Sequence, residues 1–182
     1  MRILVCYGTT EGQTRKIAEF VAEIVEKAGH EPALFDVTAI NALEPSRCQA
    51  AILAGSVHMG RYQQAFVQRI EGWQATLNAM PSAFISVSLS AASPDSHDRA
   101  EIDECAQKML RETGWHPKAT LHAAGAIRFS EYDFFKRWLA RLIAAQMRRD
   151  VGIGGDQEFT DWAAVTAFVE KFLSGLPVAA KA

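Results

Sequence analysis

The sequence predicts a doubly wound α/β fold, in which helices cover both faces of a five-stranded parallel sheet with the strand order 2-1-3-4-5. Five short apolar segments of strand length alternate along the chain with runs whose apolar residues repeat at helical spacing. Parallel strands need right-handed helical crossovers, so the helices must cover both faces. The 182 residues are enough for one hydrophobic core, and we expect a single domain over residues 1–175 and a tail at 176–182.

The first strand, expected at residues 2–7, leads into a turn that is suited to phosphate. The turn reads GTTEGQT at residues 8–14 and opens a helix. Unpaired N–H groups at a helix N-terminus, closely approaching glycines and threonine hydroxyls all favour an anion. The turn has neither the lysine of a P-loop nor the spacing of the dinucleotide fingerprint, so neutral donors would hold one phosphomonoester. The alternative is a Gly-Thr turn that only starts a helix, but ligands bind open α/β sheets at this position.

The other elements follow in the same alternation. Strands are expected at residues 32–37, 50–54, 83–87 and 119–124. Helices are expected over residues 66–77, 102–110, 132–149 and 162–172, with a flexible glycine joint at 152–155. The loops at 55–62 and 88–97 follow strands 3 and 4. Because strands 1 and 3 are neighbours at the switch point of this strand order, both loops should border one crevice with the first turn.

Charge and cysteine content exclude several classes of protein. The formal net charge of −2 argues against a general nucleic-acid binder. The three cysteines, Cys6, Cys48 and Cys105, have no metal-ligand spacing, so we expect reduced thiols, no metal and a cytoplasmic protein. The first strand begins at Arg2, so we expect no signal peptide, and no stretch is apolar enough to span a membrane.

Several stretches resemble known proteins. The turn at residues 9–14 is similar to the FMN phosphate loop of flavodoxins. The chain also resembles the quinone-dependent protoporphyrinogen IX dehydrogenases, a flavodoxin-like family, over nearly its whole length. The resemblance rests on residues 10–15, 55–62, 80–84, 86–89, 124–129 and 160–162. One stretch departs from that family: residues 90–99 are less basic than expected, with Asp95 and Asp98 against Arg99.

The resemblance implies FMN as cofactor, protoporphyrinogen IX as substrate in heme biosynthesis, and menaquinone or ubiquinone as electron acceptor. The alternatives are a flavodoxin-type electron carrier, a flavin-dependent quinone reductase of another substrate, and a binding module without flavin. The implied cofactor-binding residues are Thr9, Thr10, Glu11, Gly12, Gln13 and Thr14 for the phosphate, and Ser56, Val57, His58, Met59, Gly60, Arg61, Tyr62, Ser86, Val87, Ser88, Leu89 and Ser90 for the flavin ring.

Three of these residues carry separate expectations. The Glu11 carboxylate should point away from the phosphate and cap backbone groups. His58 is the candidate catalytic residue, because an unperturbed histidine titrates near neutral pH; the alternative is an exposed loop histidine without a role. Tyr62 either faces the flavin or packs at the start of a helix. No aromatic residue occurs in the loop after strand 4, which would leave room beside the flavin for a flat substrate or a quinone.

The predicted helix at residues 132–149 is basic. Between residues 128 and 149 there are six basic side chains, at 128, 136, 137, 141, 148 and 149, and two acidic ones, at 131 and 133. Arg137, Arg141 and Arg148 fall on one helical stripe. The helix is either an ordinary amphipathic helix with a solvated face or a contact to an anionic membrane surface. The second interpretation predicts a peripheral protein on the inner face of the cell membrane. A homo-oligomer is left open.

Overall fold

Five parallel strands form the centre of the computed structural model, which describes residues 1–39, 43–93, 95–127 and 157–177. They are β1 (Arg2–Gly8), β2 (Glu31–Asp36), β3 (Ala50–His58), β5 (Ser82–Ser88) and β6 (Ala119–Ala124), and a short β4 (Arg61–Tyr62) pairs antiparallel with β3. The sheet order is β2-β1-β3-β5-β6. Counted over the five parallel strands this is 2-1-3-4-5, so the predicted order is confirmed.

Four α-helices pack on this sheet in the described part of the chain. They are α1 (Gln13–Lys27), α2 (Gln64–Ala79), α3 (Ser96–Thr113) and α4 (Trp162–Ser174). Short 3₁₀ turns occur at Pro45–Arg47 and Leu89–Ala92. The predicted basic helix at 132–149 and the glycine joint at 152–155 lie outside the described residues. Within the described residues, no helix has the length and apolar character needed to cross a membrane.

Alternation along the strands creates two hydrophobic cores, one on each face of the sheet. In β1, Val5 faces α1 and α4, where it joins a cluster with Val21 and Val169. The next side chain, Cys6, faces the opposite side and joins the cluster of α2 and α3 that contains Phe66. Successive strand residues point to opposite faces, and both faces are covered, so β1 is buried from Ile3 to Gly8.

Strand β3 is longer than its sequence predicts. The prediction ended it at residue 54 and treated residues 55–62 as a loop, but the strand continues to His58 and turns back as β4. The turn consists of Met59 (φ 50°) and Gly60 (φ 72°). Two successive residues with positive φ match the twist of a tight hairpin, so the pairing of Val57 with Tyr62 can form.

A second small sheet was not predicted at all. Strand β7 (Ala126–Ile127) pairs antiparallel with β8 (Gln157–Glu158), although about thirty residues separate them in sequence. Two-residue strands are too short for a periodic pattern. The pairing brings the segment before α4 to the carboxyl end of β6, and α4 then begins where the Asp161 carboxylate accepts a hydrogen bond from the Ala164 N–H at 2.9 Å.

Candidate functional site

A cavity of about 410 Å³ opens at the carboxyl ends of β1, β3, β5 and β6. Its lining residues are Glu11, Gln13, Thr14, Ser56, Val57, His58, Met59, Gly60, Val87, Ser88, Leu89, Ser90, Glu101, Ile102, Cys105, Gly125 and Ala126. The cavity lies beside the switch point, where the chain leaves β1 in one direction and β3 in the other. The predicted crevice is therefore a real feature of the fold.

Most of the proposed cofactor-binding residues line this cavity, but six do not. The six are Thr9, Thr10, Gly12, Arg61, Tyr62 and Ser86. Tyr62 is buried against Phe66 and Phe84, and its hydroxyl lies 2.6 Å from Oγ of Ser86. Burial raises the pKa of the Tyr62 phenol. Of the two interpretations of Tyr62, the structure favours a packing residue beneath the site.

Thr9 and Thr10 shape the turn before α1. Oγ1 of Thr9 accepts a hydrogen bond from the Gly12 N–H at 2.9 Å, and Oγ1 of Thr10 accepts one from Nε2 of Gln63 at 2.9 Å. Because each hydroxyl oxygen accepts a hydrogen bond, its own hydrogen is left to donate to another group. Gly12 has φ 92°, which favours glycine, and the first N–H groups of α1 have no partners within the helix. This donor set suits a phosphate group.

Ser56 contributes a buried polar atom on β3. Among the described residues, its Oγ is buried without a hydrogen-bond partner, and the residue lines the cavity. Buried polar atoms are almost always hydrogen-bonded in folded proteins. A ligand with a polar atom at this wall would supply the missing partner.

Glu11 differs from its prediction. The carboxylate was expected to cap backbone groups, and this expectation is wrong: Oε1 of Glu11 lies 3.7 Å from Nδ1 of His58, and both residues line the cavity. The pair joins the turn after β1 to the hairpin after β3. Because both side chains are partly exposed, we expect the pair to contribute little to stability, but it restricts where the His58 ring can lie.

Helix α3 supplies lining residues that were not predicted from the sequence. They are Glu101, Ile102 and Cys105, and Gly125 and Ala126 close the cavity after β6. The Cys105 thiol donates a hydrogen bond to the Gly60 carbonyl at 3.3 Å, which fastens the hairpin turn to α3. Helical spacing identified the face of α3 that is buried, but not which part of that face borders the cavity.

The surface that lines the cavity is mainly apolar. None of the lining residues within the described part of the chain is Phe, Tyr or Trp. The side chain at the hairpin tip, Met59, is 81% exposed and borders the cavity opening. Among the described residues, a flat ligand in this cavity would contact Met59 and Leu89.

Comparison with known proteins identifies the family. The model of the flavodoxin domain matches residues 4–151. The chain belongs to the flavodoxin domain family. Flavodoxin 2 from Bacillus cereus is similar in fold, with a TM-score of 0.60 and 15% sequence identity over 97% of this chain and 100% of that chain.

Two relatives in sequence carry a more specific name. The protoporphyrinogen IX dehydrogenase [quinone] of Escherichia coli (strain K12) is 28% identical over 171 residues, which is 94% of each chain. The protein of the same name from Leishmania major is 29% identical over 179 residues, which is 98% of this chain and 77% of that one. The predicted resemblance to these dehydrogenases is thereby confirmed.

The residues of the cavity fit an FMN cofactor. A flavodoxin domain that binds FMN must hold a phosphate, a polyol chain and a flat ring. The Thr9 and Thr10 hydroxyls and the first N–H groups of α1 can donate to a phosphate, and within the described part of the chain the buried Oγ of Ser56 has no hydrogen-bond partner. The space between the hairpin tip and the 3₁₀ turn at Leu89–Ala92 is open for a ring.

Proposed function

We propose that this flavodoxin-domain protein is an FMN-dependent oxidoreductase that oxidises protoporphyrinogen IX to protoporphyrin IX and delivers the electrons to a quinone. The observation that carries the proposal is the cavity at the switch point, which Gln13 and Thr14 of the phosphate turn line together with the hairpin tip and the 3₁₀ turn after β5. Relatives that bear the name of this activity align with nearly the whole chain.

Two parts of the chain would hold the cofactor. The hydroxyls of Thr9 and Thr10 and the first N–H groups of α1 would bind the phosphate, assisted by the positive end of the helix dipole. The hairpin tip and the 3₁₀ turn at Leu89–Ala92 would hold the ring, with the Ser56 hydroxyl as a polar contact. Bound FMN accepts and passes on electrons one or two at a time, and the protein orients it and excludes water.

The open walls favour an enzyme over an electron carrier. A carrier only has to bring the ring edge close to a partner protein, and aromatic side chains that sandwich the ring serve it well. Among the described residues no aromatic side chain lines the cavity, which would leave room beside a bound ring for a flat tetrapyrrole or a quinone. Carriers also present strongly acidic docking faces, which a chain with a net charge of −2 matches poorly.

His58 is the proposed proton-transfer residue. Removal of hydrogen from a reduced tetrapyrrole releases protons as well as electrons, and a base beside the ring would take them up. His58 stands at the cavity wall, and the Glu11 carboxylate at 3.7 Å from Nδ1 restrains its ring. The other ring nitrogen, Nε2, would accept the proton from a ligand.

An anaerobic assay of the purified protein tests this function. The protein is mixed with protoporphyrinogen IX, with and without a short-chain ubiquinone or menaquinone, and porphyrin fluorescence is followed. We expect fluorescence to rise continuously only when the quinone is present. A flavoprotein that reduces quinone from another donor but leaves protoporphyrinogen IX unchanged would support the quinone-reductase alternative. A flavoprotein that is inert in both reactions would support the electron carrier.

We also propose that residues 132–149 bring the protein to an anionic bilayer. The segment lies outside the described residues, and the proposal rests on its basic composition and on the quinone, which resides in the membrane. The protein would then be peripheral on the inner face of the cell membrane and would collect its acceptor without extracting it from the lipid.

A further inference from the structure

The motif Thr160-Asp161-Trp162 has no atom in the cavity wall, yet it contacts the turn that would bind phosphate. Nε2 of Gln13 donates a hydrogen bond to Oγ1 of Thr160 at 2.9 Å. The same hydroxyl donates to the Ala124 carbonyl at 2.7 Å. Gln13 is the first residue of α1, and Ala124 is the last residue of β6. A single hydroxyl from the C-terminal segment thus joins the start of α1 to the end of β6.

The direction of these bonds is fixed by chemistry. A threonine hydroxyl has one hydrogen, and the Ala124 carbonyl can only accept, so the hydrogen of Thr160 must point toward Ala124. The hydroxyl oxygen then faces the amide of Gln13 as an acceptor. Gln13 is only 7% exposed, so water cannot easily replace this partner. The side chain that begins α1 is therefore held in one orientation.

We propose that Thr160 is a positioning residue of the phosphate site: through Gln13 it orients the first N–H groups of α1 toward the cofactor phosphate. The inference rests on the proposed function, because it takes FMN as the ligand. Gly125, next to Ala124, lines the cavity as Gln13 does. Thr160 thus holds the phosphate turn against the end of β6.

Neighbouring contacts dock the same segment on α1 without reaching the cavity. Nζ of Lys16 lies 3.3 Å from Oε2 of Glu158, and Nε1 of Trp162 donates to Oε1 of Glu158 at 2.7 Å. The rings of Phe20 and Trp162 pack edge to face at 4.8 Å. These contacts hold the segment in place, so removal of the Thr160 hydroxyl should disturb the phosphate turn more than the fold.

Titration with FMN and with riboflavin distinguishes a positioning role of Thr160 at the phosphate site from a general structural role, because the two flavins differ only in the phosphate. The full-length chain is stripped of flavin and titrated with each, with quenching of flavin fluorescence as the signal. In Thr160→Val, we expect the Kd for FMN to rise about tenfold. The loss of one hydrogen bond from an N–H group of α1 to the charged phosphate accounts for a change of this size. The Kd for riboflavin should change by less than about twofold by the same reasoning.

Two further variants serve as controls. Thr160→Ser retains the hydroxyl and should restore the wild-type Kd for FMN. Thr166→Val removes a hydroxyl of α4 that donates to the Trp162 carbonyl at 2.9 Å, away from the cavity, and should leave both affinities unchanged. If Thr160→Val does not fold, Gln13→Met removes the same bond from the other side and must weaken FMN more than riboflavin.

The possible outcomes separate a failure of the positioning role of Thr160 from a failure of the proposed FMN-dependent function. Equal weakening of FMN and riboflavin in Thr160→Val, or no weakening of FMN, would overturn the positioning role while the proposed function stands. A Gln13→Met variant with an unchanged ratio of the two affinities would overturn it as well. A wild-type protein that binds neither flavin would overturn the proposed function, and the inference with it.

Discussion

The hydroxyl of Thr10 is the smallest feature on which the proposed cofactor site depends. The hydroxyl oxygen accepts a hydrogen bond from Nε2 of Gln63. The hydroxyl hydrogen therefore has to find its acceptor in a different group. Gln63 comes from the start of α2, whereas Thr10 follows β1, so two parts of the chain cooperate in one donor. A turn rich in threonine is common, but a threonine oriented in this way is suited to an anion.

We predict that Thr10→Val and Thr14→Val, introduced together, lower the affinity for FMN. Each lost hydrogen bond to a charged phosphate costs roughly 1.5–3 kcal/mol, so the Kd should rise by at least about tenfold. Isothermal titration calorimetry of the flavin-free protein with FMN measures this Kd. Thr38→Val is the matched control, because the Thr38 hydroxyl bonds to Asp36 in another loop. An unchanged Kd for FMN in the double variant would remove the phosphate assignment.

Buried thiols and phenols make the fold sensitive to alkali. Burial raises the pKa of the Cys6 thiol above its ordinary value of 9.0. Because the folded-state pKa exceeds the unfolded one, the stability from burying the neutral thiol is complete below pH 9.0 and is lost progressively as the pH rises beyond it. Burial also raises the pKa of Cys48, Cys105 and Tyr62, so their contributions change in the same direction.

We therefore predict that the free energy of unfolding falls from pH 8 to pH 10.5, by up to about 1.4 kcal/mol per pH unit above pH 9.0 for the buried Cys6 thiol. Cys6→Ala should be less stable at neutral pH, because it leaves a cavity, but its stability should fall less steeply with pH. Urea unfolding at several pH values measures both effects. Parallel pH profiles for the two proteins would contradict the role of Cys6.

The β3–β4 hairpin combines strain with exposure. Met59 has φ 50°, a conformation that is costly for a residue other than glycine, asparagine or aspartate, and its side chain is 81% exposed. Neither property helps folding. A side chain that is unfavourable for stability, at the mouth of the proposed flavin site, indicates a functional use.

We predict that Met59→Asn raises the free energy of unfolding by about 0.5 kcal/mol and weakens FMN binding. Asparagine tolerates positive φ and forms a favourable Asn-Gly turn with Gly60, but it lacks the apolar surface for the ring. Gly60→Ala is the opposite variant, because φ 72° is strained for alanine, and it should destabilise the fold. Thermal unfolding and flavin titration measure the effects. A Met59→Asn protein with unchanged FMN affinity would leave the side chain without a role at the ring.

The charge of the whole molecule is unevenly distributed. Residues 128–149 carry a net charge of +4, from six basic and two acidic side chains, which leaves the rest of the chain at −6. A chain with a net charge of −2 would avoid an anionic surface if its charge were spread evenly. Because the basic residues are concentrated in one segment, that segment can bind an anionic surface while the rest of the chain is repelled from it. The opposing forces would also orient the molecule on the surface.

We predict weak, salt-sensitive binding to anionic vesicles. Three arginines contribute at most about 3 kcal/mol, at about 1 kcal/mol for each basic residue, so attachment should be reversible. The triple variant Arg137→Glu, Arg141→Glu and Arg148→Glu should fail to co-sediment with vesicles. It should also lose reduction of membrane quinone but keep activity with a soluble acceptor.

The control for this experiment carries the same change in charge elsewhere. Lys108→Glu, Arg111→Glu and Lys118→Glu alter residues of α3 and the loop that follows it. This variant should co-sediment as the wild type does. If both triple variants detach equally, net charge alone governs binding, and residues 132–149 have no special part in it.

Much of the fold follows from local patterns. The five parallel strands, their order and the turn at residues 8–14 were predicted correctly, because apolar periodicity and glycine chemistry act over a few neighbouring residues. The resemblance to the dehydrogenases was also readable from short motifs and is confirmed by the relatives. Two features were not predicted: α3 lines the cavity, and β3 continues to His58 before the chain turns back as β4.

What the sequence determined by itself is the architecture, the position of the cavity and the family, since each depends on local signals or on rules of strand connection. Only the tertiary structure decided that Tyr62 packs inward, that Glu11 meets His58 and that Thr160 reaches Gln13 across 147 positions. The physical reason is that a hydrogen bond between distant segments depends on distances of a few tenths of an ångström. Such distances are set by the packing of the whole core, and no periodic pattern in the sequence encodes them.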